Sequence, residues 1–216
     1  MPNLMNETAI KHLKLVDNRL SRIIDVIGNI NIHVYDDPFR FLVGEIVGQM
    51  ISNNVRRIII TRLNALCYGK IEPQIIMQLS IDEIRQTGMS VSKAKYIYNL
   101  ARLIREGEID LPSLVDMDDA SVVKELVKIK GIGSWTAKMY LLFYLQRPDI
   151  LPYEDGAFLQ AYKWLYNARK TKPETIIRKC RSWKPYSSYA SRYLYAALDG
   201  GLTKHNINDF LSINNE

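Results

Sequence analysis

Two parts of the sequence carry residue types that could do chemistry: a glycine-punctuated turn and a carboxylate pair. The turn is Gly131-Ile132-Gly133, and the pair is Glu154-Asp155. Glycines remove side chains that would block a close approach, and the first amides of a following helix favour an anion. The turn therefore fits a phosphate group, although an ordinary corner between two helices is the alternative.

Both features depend on the start of a helix. The amides of Gly133, Ser134 and Trp135 open the helical pattern after the turn, and Lys128 and Lys130 place positive charge beside it. The carboxylate pair immediately precedes another helical stretch, where an aspartate commonly caps the first turn. The elements that must position these groups are therefore helices.

Apolar residues recur at helical spacing along most of the chain, and strand-like alternation is nearly absent. One stripe follows Pro38 and comprises Phe39, Leu42, Val43, Ile46, Val47 and Met50. Another follows Ser90 or Ser92 as the cap and comprises Ile97, Leu100, Ala101 and Ile104. We predict an all-α protein with roughly ten to twelve helices, separated by Gly, Pro, Asn and Asp.

The charge distribution favours polyanionic partners. The 216 residues carry a net charge of +6, and the pI is near 9.2. Nine basic residues lie between Ala161 and Arg192 against one acid, Glu174. They are Lys163, Arg169, Lys170, Lys172, Arg178, Lys179, Arg181, Lys184 and Arg192. On charge alone, a solvated surface and a nucleic-acid-binding surface fit this stretch equally well.

Cysteine, histidine and hydropathy patterns exclude several classes of protein. Cys67 and Cys180 are too few for a disulfide framework, a four-cysteine zinc site or an iron–sulfur cluster. The three histidines are far apart, and neither a signal peptide nor an apolar run near 18 residues is present. We expect a cytoplasmic protein without a membrane partner, nucleoid-associated if the source is prokaryotic.

Several stretches resemble, in order and spacing, the 3-methyladenine DNA glycosylase II branch of the helix-hairpin-helix (HhH-GPD) DNA glycosylases. They are HLKLVDNRLSRIIDVIG, DPFRFLVGEIVGQMIS, IRQTGMSVSKAKYIYNLA, IKGIGSWTA with LPYEDGAF, and WKPYSSYASRYLY. The resemblance implies an all-α fold of two helical lobes, with a helix-hairpin-helix motif and an active-site cleft between the lobes. The single glycosylase unit 1–216 would have a central lobe of about 38–150 and a second lobe from 1–37 plus 151–216.

The resemblance also implies an enzyme that flips a damaged nucleotide from duplex DNA and hydrolyses its N-glycosidic bond, which starts base excision repair. Asp155 matches the catalytic aspartate, which would stabilise positive charge on the sugar and orient the attacking water. A helix N-terminus keeps such a carboxylate ionised, and Gly156 leaves room for the sugar. Glu154 is the adjacent alternative.

In that branch an aromatic pocket holds an alkylated, positively charged purine such as 3-methyladenine or 7-methylguanine. Trp135 and Tyr195 match pocket positions, and Tyr153 and Tyr140 are further candidates. For each of these rings, core packing is the alternative. Relatives that also cut the DNA backbone carry a lysine where this chain has Trp135, so we expect no lyase activity. Lys138 is the nearby lysine that could act in place of that missing lysine.

The resemblance assigns further DNA contacts. Met89, in TGMS, would act as a wedge between base steps, although a helix-cap hydrophobe is an equal alternative. Gln49, Ser52 and Asn53 would face the orphaned base. A monovalent cation, Na⁺ or K⁺, would bind main-chain carbonyls of the hairpin, those of Val127, Ile129 and Ile132. No other cofactor and no iron–sulfur cluster is expected.

The expected partner is double-stranded DNA with damaged bases, bound by a monomer. Tyr195 stands where one subgroup has tryptophan, and Ser187 replaces an arginine of the branch. The segment SNNVRRI, residues 52–58, resembles the 8-oxoguanine branch. The alternatives are therefore a related glycosylase for oxidised or deaminated bases, and a non-catalytic helix-hairpin-helix module that binds DNA.

Overall fold

The computed structural model describes residues 6–169 and 171–211, and this part of the chain forms thirteen α-helices and no β-strand. The helices are α1 (Glu7–Val16), α2 (Asn18–Ile27), α3 (Pro38–Gly48), α4 (Asn53–Leu66), α5 (Pro73–Ile76), α6 (Ile81–Gln86), α7 (Val91–Arg105), α8 (Asp119–Leu126), α9 (Ser134–Met139), α10 (Gly156–Tyr166), α11 (Pro173–Lys179), α12 (Ser187–Asp199) and α13 (Ile207–Leu211). Three 3₁₀ segments (Pro112–Asp116, Cys180–Trp183, Leu202–Lys204) and a π-helical turn (Tyr140–Tyr144) complete the helical structure of these residues.

The all-α prediction is confirmed. More helices form than the ten to twelve predicted, because α5, α6, α9 and α13 have only four to six residues each. Such segments are too short for a periodic pattern to register. Of the helices in the described ranges, none combines the length and apolar character needed to cross a bilayer.

The chain divides into two compact units. Unit 1 comprises Met1–Val34 with Gln146–Glu216, and unit 2 comprises Tyr35–Leu145. Unit 1 therefore contains α1, α2 and α10 to α13, and unit 2 contains α3 to α9. The two cysteines, Cys67 in unit 2 and Cys180 in unit 1, are buried free thiols.

Unit 1 is organised around a buried carboxylate. Asp17 separates α1 from α2 and caps α2, because its Oδ1 accepts the backbone amide of Leu20 at 3.0 Å. Its Oδ2 accepts the indole Nε1–H of Trp183 at 3.0 Å and the hydroxyl of Tyr166. A buried carboxylate with three donors is well satisfied, so this network joins α2 to α10 and to the 3₁₀ segment Cys180–Trp183.

Unit 2 is organised around α7, which packs against α3, α5 and α6. Ser90 caps α7 by accepting the backbone amide of Lys93 at 3.3 Å, so of the two serines predicted for this role Ser90 is the cap. The helix buries Ile97, Leu100 and Ala101, as its apolar stripe predicts.

The start of α3 agrees with the sequence, but its end does not. Asp37 caps the helix and Pro38 occupies its first turn. The predicted apolar stripe of α3 included Met50, and that assignment is wrong. The helix ends at Gly48, and Met50 lies beyond it with a side chain 101% exposed. The turn that follows α3 rotates Met50 away from the buried face.

A partly buried ion pair joins α3 to α4 on either side of that turn. Arg56 Nη2 lies 2.7 Å from Glu45 Oε1, and the Glu45 side chain is 9% exposed. Gly44 and Gly48 leave the space for this arginine, since Cβ atoms there would lie 2.9 and 3.0 Å from its side chain. The two helices are thereby held together where the turn between them begins.

Candidate active site

The predicted hairpin is present in unit 2. Helix α8 ends at Leu126, a turn follows, and α9 begins at Ser134 with Gly133 as its N-cap residue. No side chain caps α9. The first amides of a helix have no acceptor within the helix, so the start of α9 presents donors to an anion.

The two glycines of the turn have different roles. Gly131 has φ +96°, and a Cβ atom on it would lie 2.3 Å from Cγ of Tyr96. Gly133 has φ −100° and ψ −179°, and a Cβ atom there would meet nothing within 4 Å. The backbone of Gly133 therefore adopts a conformation that is open to any residue. Only Gly131 has to be glycine for its backbone conformation and packing. At Gly133 the missing side chain leaves the surface of the turn open.

Polar side chains near the turn are exposed. Ser134 and Lys130 face solvent. The Lys128 ammonium lies 2.6 Å from both carboxylate oxygens of Glu125. Part of the positive charge expected beside the turn is thus already paired within unit 2.

The carbonyl groups of Val127, Ile129 and Ile132 lie within this turn. The Ile129 carbonyl accepts the amide of Ile132 at 2.9 Å, which closes the turn and leaves one lone pair on that oxygen. Neutral carbonyl oxygens are hard ligands, and their chemistry suits Na⁺ or K⁺. Among the described residues, His, Cys, Asp and Glu side chains form no cluster that could hold a metal ion.

Asp155 lies in unit 1 as the N-cap residue of α10. Its Oδ1 accepts the backbone amide of Phe158 at 2.7 Å, and the side chain is 8% exposed. Phe158 is completely buried and fixes this end of the helix in the core of unit 1. The carboxylate is therefore held in one orientation, and the helix N-terminus favours its negative charge.

The neighbours of Asp155 differ from it. Glu154 is exposed, whereas Asp155 is buried. Gly156 is also exposed, and a Cβ atom on it would meet nothing within 4 Å. Open space thus lies directly beside the buried carboxylate. Burial and orientation favour Asp155 over Glu154 as the reactive group.

The four candidate pocket aromatics are spread over both units. In unit 1, Tyr195 on α12 and Tyr153 are partly buried against the core. In unit 2, Trp135 in the first turn of α9 is also partly buried. These three rings have surface left for a ligand, and their role in a base pocket stays a prediction.

Tyr140 is completely buried in unit 2. Its ring stacks on Tyr144 with 4.7 Å between centroids and meets Phe41 edge-on at 5.8 Å. Burial, with a smaller effect of Tyr144, raises the pKa of the Tyr140 hydroxyl well above its ordinary value. Core packing accounts for this ring without a ligand, so Tyr140 is the weakest of the four candidates.

Gln49, Ser52 and Asn53 lie at the turn between α3 and α4. Gln49 Nε2 donates to the carbonyl oxygen of Gly131 at 3.0 Å, and more weakly to Thr136 Oγ1 at 3.4 Å. Ser52 caps α4 through the amide of Val55, and Asn53 is the exposed first residue of that helix. In this structure Gln49 and Ser52 make protein contacts, and their predicted contact with an orphaned base would need these hydrogen bonds to be shared or exchanged.

The two methionines of interest have opposite environments. Met89 is 5% exposed, which agrees with the alternative that it is a helix-cap hydrophobe. Met50 is 101% exposed, with φ +57°. A left-handed conformation costs a non-glycine residue about 1–2 kcal/mol. Apolar spacing places Met50 in the stripe of α3, so its exposure was not predicted.

The basic stretch of unit 1 is mainly exposed, apart from Lys170, which lies outside the described residues. Lys184 Nζ is 3.0 Å from Asp149 Oδ2, and Lys179 Nζ is 4.8 Å from the centre of the Tyr166 ring. Further exposed basic residues, Lys163, Arg169, Lys172, Arg178 and Arg181, add positive charge between α10 and the 3₁₀ segment Cys180–Trp183.

Residues 43–185 match the model of the HhH-GPD superfamily, described as base excision DNA repair proteins. Among individual proteins, the DNA-3-methyladenine glycosylase of Bacillus subtilis is 35% identical over 124 residues, 57% of this chain and 41% of that protein. The alkylbase DNA glycosidase-like protein mag2 of Schizosaccharomyces pombe is 27% identical over 194 residues, 87% of this chain and 91% of that protein. The chain thus spans less than half of the B. subtilis relative but most of the yeast one.

A solved structure extends the similarity to the fold. The crystal structure of a DNA-3-methyladenine glycosidase from Bacillus halodurans superimposes with a TM-score of 0.80 at 29% sequence identity. The match covers 94% of this chain and 95% of that one. The fold therefore has a counterpart over almost the full length of both chains.

Proposed function

The chain belongs to the HhH-GPD superfamily of base excision DNA repair proteins, and from this premise we propose that it is a monofunctional DNA glycosylase for alkylated bases. It would flip a base such as 3-methyladenine or 7-methylguanine out of duplex DNA and hydrolyse the N-glycosidic bond. The observation that carries the proposal is Asp155: a buried, oriented carboxylate with open space at Gly156 beside it.

The proposed chemistry needs a fixed negative charge and no general acid. As the glycosidic bond breaks, its electron pair leaves with the base and positive charge develops on the sugar. Asp155 would stabilise that charge and orient the water that adds to the anomeric carbon. An alkylated purine is already cationic, so it departs as a neutral base without receiving a proton. Tyr195 and Tyr153 of unit 1, and separately Trp135 of unit 2, are the rings proposed as candidates to stack on an alkylated base.

Duplex DNA would be held by two kinds of contact. The amides at the start of α9 would bind one phosphate, with Lys130 beside them, and this contact would position the substrate. The basic surface of unit 1 would add a sequence-independent attraction that weakens with salt. The carbonyls of Val127, Ile129 and Ile132 would hold a Na⁺ or K⁺ ion, which would supply positive charge at the hairpin. We expect the protein to act as a monomer.

Base flipping needs an apolar wedge to fill the space in the duplex. We assign this role to Met50 in place of Met89. Met50 is fully exposed in a left-handed conformation, and strained residues of this kind concentrate at functional sites. Met89 would first have to leave a buried position.

The proposed enzyme leaves an intact strand with an abasic site. Lyase chemistry needs an amine that forms a Schiff base with the sugar, and an indole cannot do so. Trp135 occupies the second position of α9, where the lyase-type relatives carry that lysine. Lys138 lies one turn further along α9.

A panel of defined lesions tests this proposal. Purified protein would be incubated with duplexes that contain 3-methyladenine, 7-methylguanine, 8-oxoguanine, uracil or no lesion, and strands would be analysed with and without alkali. We expect alkali-dependent breaks at the two alkylated purines. Breaks only at 8-oxoguanine or uracil would support a glycosylase of another specificity. Binding to all duplexes with no breaks would support a non-catalytic DNA-binding module.

A further inference from the structure

Three segments of unit 2 that the proposed function uses are joined by three side chains. The segments are the turn that carries Met50, the hairpin turn at Gly131, and the start of α7. Gln49 Nε2 donates to the carbonyl oxygen of Gly131 at 3.0 Å, which ties the first segment to the second. Tyr96 of α7 packs on Gly131 so closely that a Cβ atom there would overlap its ring. The hairpin is thus braced from α7 and from Gln49.

Lys93 makes the remaining connection. Its Nζ donates to the carbonyl oxygens of Val47 at 2.9 Å and Gln49 at 2.6 Å. These carbonyls lie at the C-terminal end of α3. The last carbonyl groups of a helix accept no amide hydrogen from within the helix, and the helix dipole favours a cation there. Lys93 is fixed in turn, because its own amide donates to Ser90 in the cap of α7.

The Lys93 ammonium is partly buried, so loss of its two carbonyl contacts would be unfavourable. Burial lowers the pKa of Lys93 from its ordinary value. A partly buried ammonium that loses its acceptors leaves a desolvated charge, so the two carbonyl contacts hold it strongly. Lys95, two residues along the same helix, is exposed.

The next residue after Gln49 is Met50, with φ +57° and full exposure. A strained, solvent-exposed conformation persists only when contacts with the surrounding structure hold it in place. The peptide that leads into Met50 is held at its carbonyl by Lys93, and the Gln49 side chain is held by the hairpin. The conformation of Met50 is therefore set from α7 through a contact that does not involve the methionine itself.

We propose that Lys93 is a positioning residue: its hydrogen bonds to the carbonyls of Val47 and Gln49 hold Met50 in the displayed, left-handed conformation at a fixed distance from the phosphate-binding hairpin. The inference rests on the proposed glycosylase function, in which Met50 is the wedge. In this arrangement the Met50 turn and the hairpin turn at Gly131 are pre-organised together. DNA binding then loses little conformational entropy in ordering the Met50 turn.

The first test needs no DNA. The protein has seven methionines, and ¹³C-methyl labelling with a Met50→Leu variant would assign the Met50 signal. Lys93→Leu should broaden or shift that signal, while the matched Lys95→Leu variant should leave it as in the wild type. A folded Lys93→Leu protein with an unchanged Met50 signal would contradict the proposal. Where Lys93→Leu is too unstable to study, Lys93→Gln, which removes the charge but keeps an amide N–H₂ group, should also broaden or shift the signal.

The second test measures base unstacking, with 2-aminopurine placed beside a 7-methylguanine lesion. Lys93→Leu should lower the fluorescence rise on binding, and should slow single-turnover excision from the paired duplex by about tenfold, as expected when hydrogen bonds to a charged group are lost. Excision from an unpaired, single-stranded lesion should change by less than about twofold, because no wedge is needed there. Lys93→Arg should restore most of the difference, and Lys95→Leu should behave as wild type.

These outcomes separate the two proposals. Wild-type protein that excises no base from either substrate would contradict the glycosylase function, whereas the Met50 signal would still report on Lys93. Wild-type excision together with equal slowing on paired and unpaired lesions in folded Lys93→Leu would contradict the positioning role alone. A general loss of structure would affect both substrates equally.

Discussion

The Cβ position of Gly131 lies 2.3 Å from Cγ of Tyr96, and the φ of Gly131 is +96°. An alanine at this position would meet both a steric overlap and an unfavourable backbone conformation. We expect Gly131→Ala to lower the free energy of unfolding by about 3 kcal/mol, from overpacking and left-handed strain together. Urea denaturation measures this.

Two controls accompany Gly131→Ala. Gly133→Ala should change the free energy of unfolding by less than about 1 kcal/mol, because Gly133 has φ −100° and open space at its Cβ position. Adding Tyr96→Ala to Gly131→Ala should recover the steric part of the loss, since the ring that the methyl group would meet is removed. Equal stability of the two single glycine variants would mean that the turn is not built as described.

A second prediction concerns Gly133 and the phosphate. Gly133→Val should fold normally, yet it places a branched side chain at the start of α9, where the backbone would have to approach DNA. We expect the affinity for lesion-containing and undamaged duplex to fall together by about tenfold, the scale of a lost charge-assisted hydrogen bond. Affinity would be measured against salt concentration, with circular dichroism as the folding control.

The matched control is Lys172→Ala, on the basic surface of unit 1. It should weaken binding much less, and it should reduce the slope of affinity against salt by up to about one unit if the lysine contacts phosphate. Unchanged duplex affinity in folded Gly133→Val protein would mean that the hairpin is only a corner between two helices.

A third prediction separates the two methionines. Met89→Ala should cost about 2–3 kcal/mol of stability, because it removes a buried side chain. It should leave base unstacking intact at a temperature where the protein is folded. Met50→Ala should change stability by less than about 0.5 kcal/mol, since its side chain is fully exposed. It should nevertheless lower 2-aminopurine fluorescence beside a lesion. If Met89→Ala lowered this fluorescence and Met50→Ala did not, the wedge would be Met89.

The outcomes at particular residues show what the sequence could predict. Helix starts were predictable, because they depend on local chemistry: Asp37 with Pro38, Ser90 and Asp155 all cap helices as their residue types suggest. The all-α class followed in the same way from apolar spacing. These features need only residues within one or two turns of each other.

Features that depend on distant contacts were not predictable. Gly131 and Gly133 look alike in the sequence, and only the ring of Tyr96, on another helix, gives them different roles. Met50 continues the apolar spacing of α3, so nothing local shows that the helix stops at Gly48. The bridge from Lys93 to Val47 and Gln49 joins residues more than forty positions apart. Periodicity carries no information about such pairs.

A fourth prediction concerns the mechanism after base release. With Trp135 in the position of the lyase lysine, borohydride should trap no covalent complex with DNA, and strand breaks should need heat or alkali. A known bifunctional glycosylase would serve as the positive control for trapping. A trapped complex that disappears in Lys138→Ala would overturn the monofunctional mechanism and would make Lys138 the nucleophile.

The most direct test compares Asp155→Asn with Glu154→Gln in single-turnover excision of 7-methylguanine from duplex DNA. Asparagine can still cap α10 by accepting the amide of Phe158, so Asp155→Asn should keep both the fold and the affinity for duplex. Its excision rate should fall about a thousandfold, equivalent to about 4 kcal/mol, because the charge opposite the developing oxocarbenium ion is lost. Glu154→Gln should excise at close to the wild-type rate. Near-normal excision by Asp155→Asn, with Glu154→Gln inactive, would contradict the account and transfer the role to Glu154.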